Sequence, residues 1–448
     1  MGEQPPSTEL CASPADENCD GRDCVIWAGV WGDENEQLPL DIDTDAEGNV
    51  YVLGAFQGAI KLSDPALISA GGWDLFLTKL DASGAVLWSK QFGNAADQNA
   101  GQIAVSAAGD IVVAGKLTGA INFGGGVLQG KDVFVARFST DGTHVWSEAF
   151  QVGAPTQVEV ATGPDGAVFL WTDFLGTAAF GGPGLSAPSD RNAVLVGLSA
   201  DTGAFAWQKP FVSTSQSAGK KDTTIRSIDT DSAGNITASG YFLGSKINLG
   251  GSDLLEGFPG GGGSFMGRFD SMGGHAWSVG NVFLGEISAD PLGAIAAVSV
   301  DDPANRGCNS GFVTRYSTVG SKVWEKTIGC PKQGDDVLSI SGASDPFGAV
   351  DVAVAVESSS IPFTFGQGVL PSIGTVDLAL GKFDSKGDHV WSRRFGVPEE
   401  VQASPVIAIA PNGDVVMAAQ VSGPIDVGTG PLPSLPGAKD LLIARFGQ

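Results

Sequence analysis

Apolar residues in this chain do not keep a helical period. They come in short alternating or continuous runs, each cut by a polar turn that carries glycine. Runs of this kind on either side of a D-x-x-G turn predict β-hairpins. The pattern recurs as IDTDAEGNVYVLG (42–54), QIAVSAAGDIVVAG (102–115), VEVATGPDGAVFLWT (158–172), IDTDSAGNITASG (228–240), EISADPLGAIAAV (286–298), ISGASDPFGAVDVAV (340–354) and IAIAPNGDVVMAA (407–419). After each hairpin comes a third apolar run, such as DLFLTKLD (74–81), DVFVARFS (132–139) or VDLALGKFD (376–384). A Gly-bearing turn and a run with one tryptophan follow, as in STDGTHVWSEAFQVG (139–153).

The tryptophan of that last run is Trp27, Trp88, Trp146, Trp207, Trp277, Trp324 or Trp391. Four antiparallel strands repeated at this spacing predict an all-β fold, a seven-bladed β-propeller of four-stranded antiparallel blades. The ends complement one another. The seventh copy stops after its third run, at 440–447, while an orphan Trp run, VIWAGVWG, stands alone at 25–32. If the N-terminal strand completes the last blade, no sheet edge stays open. The expected organisation is a propeller over 24–448 behind an acidic, Cys-containing extension over 1–23. Between second and third runs most copies carry an insert like GAINFGGGVLQGKD (119–132); the fifth has only DDPANRG (301–307).

Composition agrees with a packed chain. There are 65 Gly and 24 Pro, but 42% of residues are hydrophobic, so Gly and Pro act as turn punctuation. Fifty Asp and Glu against 25 Lys and Arg give a net charge of −25. Such a surface repels phosphate backbones and argues against nucleic acid as a partner. No apolar run is long enough for a transmembrane segment. The opening MGEQPPSTEL lacks a signal-peptide pattern and suits the tether left after a leader, as in a lipid-anchored lipoprotein.

Cysteine placement adds a compartment. Cys308 and Cys330 lie equally far from Val319, at the centre of the fifth strand–turn–strand unit, so they face each other across an antiparallel pair. A Cys308–Cys330 disulfide is expected there, and with it an oxidising, extracellular or outer-surface location. Cys11, Cys19 and Cys24 form an odd set whose pairing stays open. Among them, DENCDGRDC (16–24) opens like a D-x-[DN]-x-D-G loop. Asp16, Asn18, Asp20 and Asp23 would offer oxygen ligands to calcium, with Gly21 at the sharp turn. The twelfth position is Trp27 rather than Glu, so the same stretch also reads as a disulfide-tied acidic turn without metal.

The combined motif, G-N-v-Y-V-x-G then i-x-F-G-G-x-x-L then D-x-F-x-x-x-f-D-x-x-G-x-x-x-W, resembles the bacterial seven-bladed propeller repeat known as SBBP. The resemblance spans about 24–447 and implies a secreted or cell-surface repeat protein of the myxobacterial type. It brings no catalytic motif. The phrase LSADTGAFAW (198–207) is also similar to the tryptophan-docking repeat of quinone-dependent dehydrogenases, whose propellers have eight blades.

Candidate chemistry is sparse. His144, His275 and His389 each precede a motif tryptophan by two residues, on outer strands of different blades, which separates them in space. The tryptophans themselves are expected to pack between blades. Asp74, Asp132, Asp377 and Asp440, opening third strands, are expected to accept backbone N–H bonds. Asp41, Asp43 and Asp45 could hold calcium but serve equally as turn residues. No nucleophile elbow, zincin, P-loop or C-x-x-C pattern is present. The expected role is a non-enzymatic binding or scaffold module for a protein or glycan. Its binding face would be the loops at 33–37, 94–99, 333–336 and 399–402. The competing expectation is a carboxylate-based glycan hydrolase or lyase, or a quinone-dependent oxidoreductase, built in the propeller channel.

Overall fold

The computed structural model describes residues 24–214, 221–257, 261–282, 285–301, 309–329, 336–357, 363–366, 368–434 and 438–447. Asp16, Asn18, Asp20, Asp23, Cys308 and Cys330, together with Cys11 and Cys19, lie outside these residues. Cys24 is buried and disulfide-bonded, to a partner that also lies outside them.

Among the described residues there is no helix, and the long strands repeat a four-stranded antiparallel set; five sets are separate sheets, while the second and third are joined in one eight-stranded sheet by the pairing of Gln151 and Val152 with Ala179 and Ala178. In each set the chain runs inner, second, third and outer strand. The first set is Gln37–Thr44, Val50–Phe56, Asp74–Leu80 and Val86–Phe92. The fifth, Glu286–Ala289, Ile295–Asp301, Ser310–Tyr316 and Lys322–Gly329, repeats the order; residues 302–308, between its second and third strands, lie outside the described residues. The seventh takes Ala403–Ile409, Val415–Val421 and Asp440–Phe446 from the C-terminal end of the chain. Its outer strand is Val25–Trp31, which pairs antiparallel with the third strand, Trp27 opposite Arg445 and Trp31 opposite Leu441.

The second and third strands are buried nearly throughout, as in Val50–Phe56 and Asp440–Phe446, because they are covered on both faces. The apolar core is divided accordingly into clusters between neighbouring sheets. Trp27, Val52, Phe76, Val416 and Ile443 join the seventh sheet to the first. Phe169, Trp171, Ile225, Phe242 and Phe265 join the third to the fourth. The inner strands pack side by side in sequence, and Gln37–Thr44 packs on Ala403–Ile409. Thr44 Oγ1 adds a 2.8 Å bond to Ile409 O at that junction. The arrangement is of the propeller type.

The repeated motif has a physical reason in the packing. Six of the seven motif tryptophans lie over the Gly of the following sheet's third-to-outer turn and donate the indole N–H to a carbonyl of that turn. Trp27 Nε1 donates to Ala82 O (3.0 Å), Trp88 to Thr140 O (3.3 Å), Trp146 to Ala200 O (2.7 Å), Trp207 to Ser271 O (3.1 Å), Trp277 to Thr318 O (2.9 Å) and Trp324 to Ser385 O (3.0 Å). Trp391 is the exception. Its next sheet has no third-to-outer turn, because the third strand ends at Phe446 and the outer strand begins at Val25. The Trp391 indole nitrogen is buried without a hydrogen-bond partner.

Candidate functional site: the central channel

The inner strands surround a cavity of about 1180 Å³. Their registers can be aligned through the hairpin turns, where the first turn residue bonds the backbone across the turn: Asp45, Ser106, Gly163, Asp231, Asp290, Asp345 and Ala410. Four residues earlier in each strand stand Asp41, Gln102, Glu159, Ser227, Glu286, Ser341 and Val406. Polar side chains thus form a belt at one level, broken only by Val406. Two residues before the turn, Asp43 and Asp229 add two more carboxyls.

Most of this belt is engaged with neighbouring strands. Asp41 accepts from Ile42 N (2.9 Å) and, across the sheet junction, from Ile103 N (2.8 Å). Asp43 accepts from Thr44 N (2.7 Å) and Val105 N (2.6 Å). Asp229 repeats the device with Thr230 N (2.7 Å) and Ala289 N (2.7 Å). Ser227 Oγ accepts from Ile287 N and Ser341 Oγ from Ile407 N, each at 3.2 Å. The channel-facing edges of short inner strands would otherwise leave N–H groups unpaired; these side chains satisfy them.

Glu159 is held more loosely, accepting from Gln102 Nε2 at 3.3 Å. Glu286 accepts from Ser341 and Gly342. The cation on the wall is Arg226, which lies 4.9 Å from the centre of the Tyr241 ring and donates to Gln157 Oε1 at 3.3 Å. Withdrawal from bulk water pushes the carboxyls up, to about 7 for Asp41, about 8 for Asp43, about 6 for Asp229 and about 7 for Glu286. Glu159 is also pushed well above the usual glutamate range, by the same desolvation and by Asp41 and Glu286. Backbone hydrogen bonds, and for Glu159 the bond from the Gln102 side chain, oppose the rise. All five side chains keep some surface open to the channel, so the water it admits limits how far they go.

The other candidates resolve as follows. Asp45 is turned into its own hairpin, accepting from Asn49 N and Nδ2 and from the Tyr51 hydroxyl, so Asp41, Asp43 and Asp45 do not converge. Among the described residues no three His, Cys, Asp or Glu side chains are placed to hold a metal ion. His144, His275 and His389 stay apart, each bonded to the serine three residues on, Ser147, Ser278 and Ser392. Two of them rest on glycines of the insert, His144 on Gly124 and Gly125, His275 on Gly250 and Gly251. Asp74 accepts from Ala70 N (2.7 Å) and Asp377 from Ile373 N (2.9 Å), as turn-closing residues.

The expected binding loops are corrected in part. Gln37, Gln98 and Gln402 are buried, and their side chains donate to Gln57 O, Thr118 O and Ser422 O. Asp33 is spent on Asn35 and Ala59. The amide-rich character of these three loops therefore belongs to the fold, where it fastens each of them to the chain just after the next second strand. Gln333 lies outside the described residues. The carboxyl belt was not singled out from sequence, yet its signal is there: D-I-D-T-D, E-V-A-T-G, S-I-D-T-D and E-I-S-A-D stand in register before their turns.

No family model and no curated protein matches the chain. Among solved structures it is similar to an ulvan lyase of polysaccharide lyase family PL25, at 12% identity, covering 89% of this chain and 93% of that one with a TM-score of 0.49. It is also similar to a leech intramolecular trans-sialidase (8% identity, 88% and 90% covered, TM-score 0.41). A third is the quinohemoprotein alcohol dehydrogenase from Comamonas testosteroni (10% identity, 94% and 76% covered, TM-score 0.37). These distant likenesses leave the ligand and the activity to be argued from the chain's own residues.

Proposed function

We propose that the chain is a closed seven-bladed β-propeller acting as a non-enzymatic, extracellular or surface-bound module that binds a protein or a glycan. The Val25–Trp31 pairing with Asp440–Phe446 supports closure, and the disulfide at Cys24 supports an oxidising setting. The observation that carries the non-enzymatic reading is the engagement of Asp41, Asp43 and Asp229. Each side chain already accepts two backbone N–H bonds, so its place in the channel wall is accounted for by the fold.

One observation favours the carboxylate-based glycan hydrolase or lyase as a second reading. Glu159 has spare acceptor capacity and is held toward its protonated form inside the cavity, as a general acid requires. A panel of neutral, acidic and amino polysaccharides separates the two. Binding by calorimetry without new reducing ends or unsaturated uronate absorbance supports the module. Turnover that disappears in Glu159→Gln establishes the enzyme instead.

A further inference from the structure

The largest exposed apolar side chains near the channel are not on the inter-sheet loops. They lie at the opposite end, where the hairpin turns ring the cavity. Each hairpin places one turn residue on the cavity wall: Ala46, Ala107, Pro164, Pro291, Pro346 and Pro411, with Ser232 the seventh. Six of these seven turn residues are apolar. The next turn position is Glu47, Ala108, Asp165, Ala233 or Asn412 in five sheets. In the fifth and sixth it is Leu292, 79% exposed, and Phe347, 69% exposed.

The neighbouring third-to-outer turns extend the same sector. Where other sheets carry Ser83, Asp141 or Lys386, the fourth and fifth carry Met272 and Val319. These are 73% and 68% exposed. The turns are tied together, Ser232 Oγ donating to Pro291 O at 2.5 Å and Trp277 Nε1 to Thr318 O at 2.9 Å. Four large exposed apolar tips thus stand on turns at one end of three consecutive sheets, and exposed apolar side chains gathered in this way mark an interaction site. Below the rim, Asp43 and Asp229 stand three residues deeper, roughly 10 Å at about 3.3 Å per residue. An extended Lys or Arg side chain spans most of that depth.

We propose that this mouth, taken with the binding-module reading above, receives a polypeptide segment of a partner protein. The segment's apolar side chains lie against Leu292, Phe347, Met272 and Val319, and a Lys or Arg reaches into the channel toward Asp43 and Asp229. Charge complementarity selects the occupant. A chain of net charge −25 with carboxyls below an apolar rim attracts a basic-apolar segment and repels a second copy of itself.

The test is selection of a random 12-residue peptide library on the full-length protein, followed by fluorescence anisotropy of the enriched peptides. The expected peptides carry Lys or Arg next to aliphatic or aromatic residues. Their affinity falls at least tenfold in the surface variant Leu292→Ser/Phe347→Ser, falls with added salt, and falls when the basic residue is acetylated or replaced by norleucine. Asp43→Asn, checked for an intact fold by circular dichroism, weakens the same peptides. Peptides that lack a basic residue, or that bind Leu292→Ser/Phe347→Ser unchanged, overturn this site while leaving the binding-module reading intact. A dimer of the free protein that Leu292→Ser/Phe347→Ser dissociates reassigns the patch to self-association. Failure to recover any peptide, with a glycan binding instead, overturns the polypeptide assignment alone.

Discussion

A Cβ added to Gly84 would lie 2.5 Å from Cδ2 of Trp27, although 57 residues separate the two in sequence. Trp27 belongs to the outer strand of the seventh sheet and Gly84 to a turn of the first, so this contact joins the two ends of the strand order. The same relationship recurs between Trp88 and Gly142, Trp146 and Gly203, Trp207 and Gly273, Trp277 and Gly320, and Trp324 and Gly387. In the D-x-x-G-x-x-x-W motif the glycine seats the tryptophan of the preceding sheet, and its own tryptophan goes to the next.

Gly84→Ala should therefore cost more than its backbone conformation alone. Gly84 has φ +86°, and Gly130, with φ +67°, has nothing within 4 Å of an added Cβ. Gly130→Ala is expected to cost about 1–2 kcal/mol, from the left-handed backbone. Gly84→Ala is expected to cost about 2–4 kcal/mol, because the indole must also shift. Urea denaturation of both variants gives the comparison. Equal losses would mean that Trp27 moves aside freely.

Trp391 offers an internal control for the indole hydrogen bonds. Replacing Trp324 with benzothienylalanine keeps the ring size and removes the N–H that reaches Ser385 O. Stability should drop by about 1 kcal/mol. At Trp391 the same replacement removes a buried donor without a partner, so stability should hold or rise. A loss at Trp391 as large as at Trp324 would show that its N–H is satisfied in solution.

Arg445 ties the seventh sheet to the first. Its Nε donates to Asp414 Oδ2 at 3.0 Å, and its Nη1 to Gly48 O at 3.1 Å and Ala82 O at 3.2 Å. Arg445→Leu leaves Asp414 buried without its cation and should cost about 3–5 kcal/mol. Adding Asp414→Leu should recover part of that loss, which thermal unfolding of the single and double variants will show. No recovery would place the cost in the lost carbonyl contacts to the first sheet.

The channel carboxyls predict an unusual pH dependence. Asp41, Asp43, Asp229 and Glu286 are raised to between about 6 and about 8 in the fold, above their unfolded values. The folded protein binds more protons in that window, so stability falls as pH rises from about 4.5 to 8 and levels off beyond. Turn aspartates such as Asp81 are lowered and act oppositely, losing their contribution only in stronger acid. The melting temperature should be higher at pH 5.5 than at pH 8, and Asp43→Asn should flatten the difference. A melting temperature that rises steadily to pH 8 would contradict the raised carboxyls.

The strand sets, the hairpin turns and the tryptophan repeat were legible along the chain because each rests on neighbours in sequence. Alternating burial, a Gly turn and a Trp at fixed spacing are local facts, and the orphan strand at 25–32 matched the missing one after 447 by simple complement. What the tryptophans and glycines do to each other was not legible, since the partner lies one sheet away. Nor was the separation of Asp41 and Asp43 from Asp45, which adjacent positions in the sequence had suggested as one ligand set. Only the packing of the inner strands beside one another around a cavity sets Asp41, Glu159 and Glu286 at one level and turns Asp45 away. The same packing brings Leu292 and Phe347 to the end of the cavity that the rim prolines line, and the loop glutamines Gln37, Gln98 and Gln402 are buried. Side-chain direction in a strand is local, but the surface it meets is set by the sheet beside it.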